Sequence, residues 1–420
     1  MQLRVDSYKG QPLNPLESLP QTFKQSFVPK WLFVQKALPL LEELIHSSTE
    51  EIETFNPLSW LWNQLTRYYP SMELFYRALT KRQAELAEIK ENFRPFIGEK
   101  SLFDPVYADL LSLASAFFEN GTYQIDPDRL TPTSNQGVSG SYFLLDETGH
   151  PRFVIKPLDE DAGCINNPQG FATLLDRSPL RENMPLYHSS MREALAYQIA
   201  LSIGVDSIAP KTVLAILQSD QFYDLSQCVP TEEMDRYLEL CGAACREKIC
   251  SIQEVVPNAI TLFEAQQALQ AAGLSDEEIA ARFDQSDFED MNILLWSTYD
   301  TDGHMGNILV YPKGYDALGN EILGLKKIDN GLAFPDKNEQ LRNNLVYLPN
   351  GSLPLSDSAK CKIANLNVDQ MADLYRSYGL ESAIPALQIR IPLLQEYAQK
   401  PGITIKELNA YMAKIGNSYS

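Results

Sequence analysis

The stretch 299–335 constrains this chain more than any other: Y-D-T-D-G-H-M-G-N-I-L-V-Y, a turn-rich gap, then L-K-K-I-D-N-G-L-A-F-P. It contains two short apolar runs, Ile308–Tyr311 and Leu325–Ile328, each beside a carboxylate or carboxamide. Two such runs joined by turn residues predict an antiparallel hairpin. The hairpin brings Asp302 and Asn307, which precede its first strand, close to Asp329, which follows its second. Three hard oxygen donors at one hairpin mouth suit Mg²⁺, which takes one or two carboxylates and completes its shell with water and phosphate oxygens. A polar loop flanking two core strands has the same pattern, so other segments must decide between the two.

At 420 residues the chain predicts two or three domains. A hydrophobic content of 44% and the lack of a low-complexity tract predict globular structure throughout, with disorder at the ends. The formal net charge of −20 and pI near 4.7 argue against nucleic-acid binding, which needs Lys and Arg to neutralise phosphates. They also argue against general attraction to anionic membranes, leaving at most peripheral contact. The first residues, M-Q-L-R-V-D-S-Y-K-G, lack a signal-peptide core, and no run approaches the ~18 apolar residues of a membrane span. A cytoplasmic or membrane-peripheral location follows. The six cysteines (164, 228, 241, 245, 250 and 361) match no common zinc spacing and read as buried or free thiols.

Along the chain, residues 1–30 read as an extended segment and 31–120 as a helical N-terminal domain. In the latter, Met72, Phe75, Leu79, Leu86, Ile89 and Phe93 recur at helical steps. The aromatics Trp60, Trp62, Tyr68 and Tyr69 read as core. The polar stretch Gly121–Gln136 reads as a linker. A strand-rich region then spans 121–256, with strands at Ser141–Leu145, Phe153–Ile155, Thr212–Leu217 and Ile252–Val256 and one helix from Met191 to Ile203. Region 257–420 is mostly helical: 261–272, 276–283 and 287–299 precede the hairpin, and a loop followed by three helices (368–377, 382–399, 404–414) ends the chain. The fold class expected is α+β: a small β-rich N-lobe and a larger helical C-lobe, as in a two-lobed kinase, preceded by an all-α domain.

Four pieces carry candidate chemistry. G-V-S-G-S-Y-F at 137–143 places Gly137 and Gly140 in a tight turn, where Ser139, Ser141 and backbone N–H groups are able to cradle phosphates; an ordinary loop entering a strand reads the same way. Lys156 in F-V-I-K-P ends an apolar strand and is placed to reach phosphates beneath that turn, or to snorkel to the surface. Glu193 is a partner for Lys156, or the second half of an S-x-x-E capping box with Ser190. In D-T-D-G-H-M-G-N, Asp302 or His304 is the candidate base, Asn307 and Asp329 are the candidate metal ligands, and Asp300 reads as a solvated loop charge.

In order and spacing, G-V-S-G-S-Y-F, V-I-K-P, N-N-P at 166–168, the R-E-A helix, P-K-T-V, I-Q-E-V-V-P, the D-T-D-G-H-M-G-N loop and I-D-N-G-L-A-F-P resemble type II phosphatidylinositol 4-kinases of the phosphoinositide 3/4-kinase superfamily. The resemblance covers roughly 130–400. It implies transfer of the γ-phosphate of ATP, with Mg²⁺ or Mn²⁺, to a hydroxyl, first of an inositol phospholipid. Relatives that phosphorylate protein make a protein acceptor the alternative, and a nucleotide-binding pseudokinase acting through the helical N-terminal region is a third reading. The resemblance also implies nucleotide contacts from Ser139, Ser141, Lys156, Glu193, Val255 and Val256, catalysis by Asp302, and metal binding by Asn307 and Asp329. Three departures stand out: Gly303 replaces the arginine usual in the family's loop, the Cys-rich lipidation motif is absent, and few cations follow Asp329. A bacterial member delivered into a host cell suits these departures.

Overall fold

Strand residues 153–157 alternate: Phe153 and Ile155 are buried on one face, and Val154 and Lys156 point to the other. That parity positions everything that follows. The computed structural model describes residues 72–100, 104–133, 138–164, 166–168, 184–224, 247–337 and 339–418. The segment expected to be extended at 1–30, the helical reading of 31–71 with its four aromatics, Gly137, and Cys228, Cys241 and Cys245 lie outside the described residues.

Helices α1 (Met72–Lys100) and α2 (Pro105–Leu113) precede strands β1 (Ala116–Phe117), β2 (Thr122–Gln124), β3 (Leu130–Pro132), β4 (Tyr142–Leu145) and β5 (Pro151–Pro157). Helix α3 (Ser189–Ser202) and strands β6 (Thr212–Gln218) and β7 (Glu247–Glu254) follow. The seven strands form one mixed sheet in the order β1-β2-β6-β7-β5-β4-β3, with β2 parallel to β6 and every other neighbour pair antiparallel. Both faces are covered. On one face Val106, Tyr107, Leu110 and Leu113 of α2 pack with Leu144, Phe153, Ile155, Val213, Ala215 and Ile252. On the other, Leu195 and Ile199 of α3 share a core with Leu214, Ile216 and Ile249. Burial on both faces explains why β6 reads as a continuous apolar run.

The linker expected at 121–136 is corrected. Thr122–Gln124 pairs with β6 and Leu130–Pro132 with β4, joined by a turn that Asp126 caps. Each strand is only three residues long, too short for alternation to show among polar side chains. Strand β7 also differs: it starts at Glu247 and ends at Glu254, ahead of Pro257 and the left-handed Asn258 (φ 55°).

Beyond β7 come β8 (Ile260–Thr261), α4 (Leu262–Ala271), α5 (Asp276–Arg282), α6 (Gln285–Thr298), β9 (Ile308–Tyr315) and β10 (Glu321–Lys327). A three-stranded antiparallel sheet runs β10-β9-β8. Both hairpin strands are longer than the apolar runs, because their outer ends are exposed: Tyr315 retains 75% of its surface. Helix α6 is buried on all sides from Asp287 onward and forms the axis of the larger core. The chain closes with α7 (Asp357–Ala364), α8 (Val368–Ser377), α9 (Ile384–Ala398) and α10 (Ile405–Ser418). Helix α7 occupies what reads as loop in the sequence. It buries only Ala359 and Ile363 and is held by its Ser356 cap and by Lys362 on Asp290 (2.7 Å). The described chain is thus α+β, with a mixed sheet and ten α-helices. Among the described residues no helix is long and apolar enough to cross a membrane, and Cys164 and Cys250 are buried thiols while Cys361 is exposed.

Tyr107 Oη donates to the Leu214 carbonyl at 2.6 Å, fastening α2 to the centre of the sheet. Tyr107→Phe should therefore lower stability by ~0.5–1.5 kcal/mol in urea unfolding. An unchanged midpoint would mean that α2 is not held to the sheet by this bond.

Candidate active site

Lys156 leaves β5 on the face that α3 covers, which brings it to Glu193. Helix α3 has no side-chain cap, and the S-x-x-E box does not form. Instead Ser190 Oγ donates to the Lys156 carbonyl (2.9 Å), and the buried Glu193 spans two segments. One of its oxygens accepts from Lys156 Nζ at 2.5 Å and the other from the backbone N–H of Asn330 at 2.9 Å. Lys156 Nζ also reaches Asp329 Oδ1 at 2.8 Å. Strand β5, helix α3 and the end of β10 thus meet at one ammonium group.

The loop after α6 supplies the second half. The helix ends at Tyr299, a left-handed cap (φ 48°), and the chain turns into Asp300–Asn307. Asn307 Nδ2 donates to the Asp302 carbonyl (3.0 Å) and to Asp302 Oδ2 (3.2 Å). The N–H of Ile328 bonds back to the Asn307 carbonyl at 3.0 Å. Asp302, Asn307 and Asp329 are therefore drawn to the hairpin mouth. Asp329 has φ 60°, a conformation that costs a non-glycine residue about 1–3 kcal/mol and is held by its surroundings. His304 Nδ1 accepts from the Gly306 N–H at 3.0 Å, so in the neutral ring the proton is on Nε2, which faces Asp302 Oδ2 at 3.7 Å.

The reading of Asp300 as a solvated charge is corrected. Asp300 is fully buried and pairs with the equally buried Lys327 at 3.0 Å. Its other oxygen accepts the N–H of Asp302 (2.6 Å), while Lys327 also donates to the carbonyls of Ile328 (2.7 Å) and Asp329 (3.2 Å). One ion pair thus positions the backbones of both Asp302 and Asp329. A signal exists in the sequence: Lys327 has the same strand parity as the inward Leu325, and a lysine at an inward position demands a buried partner.

The site contains two further groups: Arg342, which the sequence shows only as one of the few cations after Asp329, and a buried network that sequence reasoning missed. Arg342 Nη1 lies 3.2 Å from Asp302 Oδ1. Its segment is stitched to the loop by Arg342 N–H to the Asp300 carbonyl (2.9 Å) and Asn344 N–H to the Gly303 carbonyl (3.0 Å). A Cβ on Gly303 would lie 2.3 Å from the Arg342 carbonyl oxygen, so no side chain fits there. The second is a buried network beneath the glycine turn. Lys248 contacts Glu160 (2.8 Å) and Asp159 (3.2 Å), and Tyr142 Oη donates to Glu160 at 2.6 Å. Gly140 rests on this network: its N–H bonds the Glu160 carbonyl, and a Cβ would collide with the Glu160 carboxylate at 2.1 Å. Asn167 Nδ2 ties the same turn through the Val138 carbonyl (2.7 Å).

Ser139 Oγ donates to the Asp161 carboxylate, and Ser141 Oγ shares a proton with Thr133 Oγ1 at 2.5 Å. Ser139 must release Asp161 to donate to a phosphate, whereas Ser141 keeps a free proton when Thr133 is the donor of their bond. Val255 and Val256 lie just past β7, half-buried, with Val255 N–H on the Arg152 carbonyl (3.1 Å).

The electrostatics separate the two aspartates. Lys156 holds the Asp329 carboxyl down, at about 2. Burial and the charge of Asp329 push Asp302 above the usual carboxylate range, with His304 opposing. Burial disfavours the Lys156 charge, but Asp329 and Glu193 outweigh it and keep the ammonium above the usual lysine range. Burial lowers His304, which Asp302 only partly offsets. Among the described residues no group of three or more His, Cys, Asp or Glu side chains is arranged to hold a metal by itself.

No family model matches the chain. It is similar to phosphatidylinositol 4-kinase gamma 3 of Arabidopsis thaliana, at 26% identity over 346 residues, covering 78% of this chain and 54% of that protein. Phosphatidylinositol 4-kinase gamma 5 of the same plant is 25% identical over 286 residues (67% and 41%). Phosphatidylinositol 4-kinase gamma 4 of Oryza sativa subsp. japonica is 23% identical over 337 residues (76% and 52%). The chain spans about half the length of these curated relatives or less.

Breaking a buried ion pair on one side costs ~3–5 kcal/mol, whereas a surface charge costs within about 0.5 kcal/mol. Asp300→Asn should fall in the first range in urea unfolding. A loss under about 1 kcal/mol would return Asp300 to the status of a solvated charge.

Proposed function

We propose that the chain is an ATP- and Mg²⁺-dependent phosphotransferase with a two-lobed, kinase-like arrangement, acting on a hydroxyl, first of an inositol phospholipid. The lobes are the seven-stranded sheet with α3 and the helical region around α6, with the site between them. The observation that carries the reading is the convergence on Asp329: Lys156 from one lobe touches it, and Asp302 and Asn307 from the other stand beside it. The plant relatives' names point to the same chemistry.

The donor set fits a hard cation. Among the described residues, no hydrogen bond is donated to Asn307 Oδ1 or Asp329 Oδ2, and both are oxygen ligands of the kind Mg²⁺ prefers. Bound there, Mg²⁺ or Mn²⁺ would neutralise charge on the transferring phosphates. Asn307 and Asp329 would hold the ion, and Lys156, paired with Glu193, would hold nucleotide phosphates. Asp302 is the base: His304 has its only lone pair on Nδ1, committed to Gly306, and serves to shape the loop. The glycine turn at 138–141 lies over the phosphates, and Val255–Val256 form the adenine hinge.

The test is transfer of labelled γ-phosphate from ATP with Mg²⁺ to phosphatidylinositol vesicles, a protein mixture or water. Label should appear in lipid and fall at least about 10²-fold in Asp329→Ala, with the fold preserved. Label in protein alone would move the acceptor to a protein hydroxyl. Full transfer by the variant would overturn the mechanism.

A further inference from the structure

Gly303 and Arg342 form a matched pair that no role yet described uses. We infer that Arg342 is a catalytic residue of the proposed reaction: a cation supplied from the segment after β10 that binds the phosphoryl group in flight. The inference rests on the phosphotransferase reading.

The geometry is specific. Arg342 touches Asp302 through Nη1 alone, at 3.2 Å, and its side chain keeps 38% of its surface. A guanidinium has five N–H donors in a planar fork, so most of them remain for an incoming anion. Of the other cations of the site, Lys156, now on Glu193 and Asp329, is assigned to the nucleotide phosphates, and Lys327 is buried against Asp300 and two carbonyls.

The backbone of Arg342 is preorganised. Bonds to Asp300 and Gly303 flank it, and the buried Asn343 next to it locks onto Asn292 (2.7 Å) and Asn409 (3.1 Å). Gly303 permits this approach, since any Cβ there would strike the Arg342 carbonyl. The loop gives up a side chain at 303, and the guanidinium arrives beside the base from a different segment.

In the step, the acceptor hydroxyl oxygen forms a bond to the γ-phosphorus while the bond to the β,γ-bridging oxygen breaks. ADP leaves with that electron pair, and the hydroxyl proton passes to Asp302. Charge spreads over the equatorial oxygens of the transferring group, and a fixed guanidinium beside Asp302 stabilises it. Arginines placed in this way raise kcat by about 10³–10⁵-fold.

The test compares wild type, Arg342→Ala, Arg342→Lys and Gly303→Ala. The melting temperature is read with Mg·ADP and with Mg·ADP plus fluoroaluminate, a mimic of the phosphoryl in flight, and kcat and KM are read in the transfer assay. Wild type should gain a further shift from fluoroaluminate. Arg342→Ala should keep the Mg·ADP shift, lose the further shift and lose kcat at least about 10²-fold with KM for ATP little changed. Free methylguanidinium should restore part of that rate, which a merely structural role would not allow. Gly303→Ala should behave like Arg342→Ala, since it displaces the arginine backbone. An Arg342→Ala protein that keeps the fluoroaluminate shift and kcat overturns the inference while leaving the phosphotransferase reading standing. A rise in acceptor KM alone also overturns it, assigning Arg342 to acceptor binding. A wild type with no Mg·ADP shift and no transfer removes the reading itself, and the inference with it.

Discussion

The Asp300–Lys327 ion pair is the constraint on which the site depends. Lys327 donates to the carbonyls of Ile328 and Asp329, and its charge lies 3.0 Å from the Asp300 carboxylate. Asp300 in turn fixes the N–H of Asp302. The opposite charge beside it and the bonds around it are what make a buried charge tolerable, because desolvation of each ion costs several kcal/mol before any compensation. A hydrophobic pair of the same volume would hold the segments together as well. It would not orient two backbones at once, nor support the left-handed Asp329 (φ 60°) that aims its carboxylate at Lys156.

Around this anchor the site repeats one device: a glycine where another segment's backbone or carboxylate must come close. Gly303 admits the Arg342 carbonyl, and Gly140 admits Glu160. Each glycine serves a long-range contact at a turn whose φ any residue could adopt. Under Gly140, Glu160 and Lys248 form a buried ionic floor in which burial pushes the Glu160 carboxyl up to about 7, against the pull of Lys248. The turn above it is placed by these contacts and by Asn167, and its two serine hydroxyls are turned toward protein partners.

The strong acidity of the chain has a structural counterpart. Lys248 and Lys327 are buried against carboxylates, and Lys156 is largely covered between two of them. These cations organise the interior of the site instead of the surface. The guanidinium of Arg342 remains more exposed than these lysines, beside the Asp302 carboxylate.

The hairpin, Lys156 at the end of an apolar strand and Glu193 on the following helix were all legible in the sequence, as was the placement of most helices. These are local properties: period-two and period-3.6 patterns encode which side chains turn inward, and Gly, Pro and left-handed caps mark the ends. Short elements escaped because a three-residue strand or an eight-residue helix with two buried anchors carries too little pattern. The sequence offered Glu193 either to Lys156 or to its own helix cap; that choice and the other partners were decided in three dimensions. Lys156 meets Glu193 across 37 positions and Asp329 across 173, and Arg342 meets Asp302 across 40. Asp300 reads as a loop charge until Lys327 is seen buried beside it, and Gly303 reads as a lost arginine until Arg342 is seen arriving beside Asp302. A sequence pattern records how much of each residue is hidden. Which charge meets which depends on how distant segments pack, and that is settled by the tertiary fold alone.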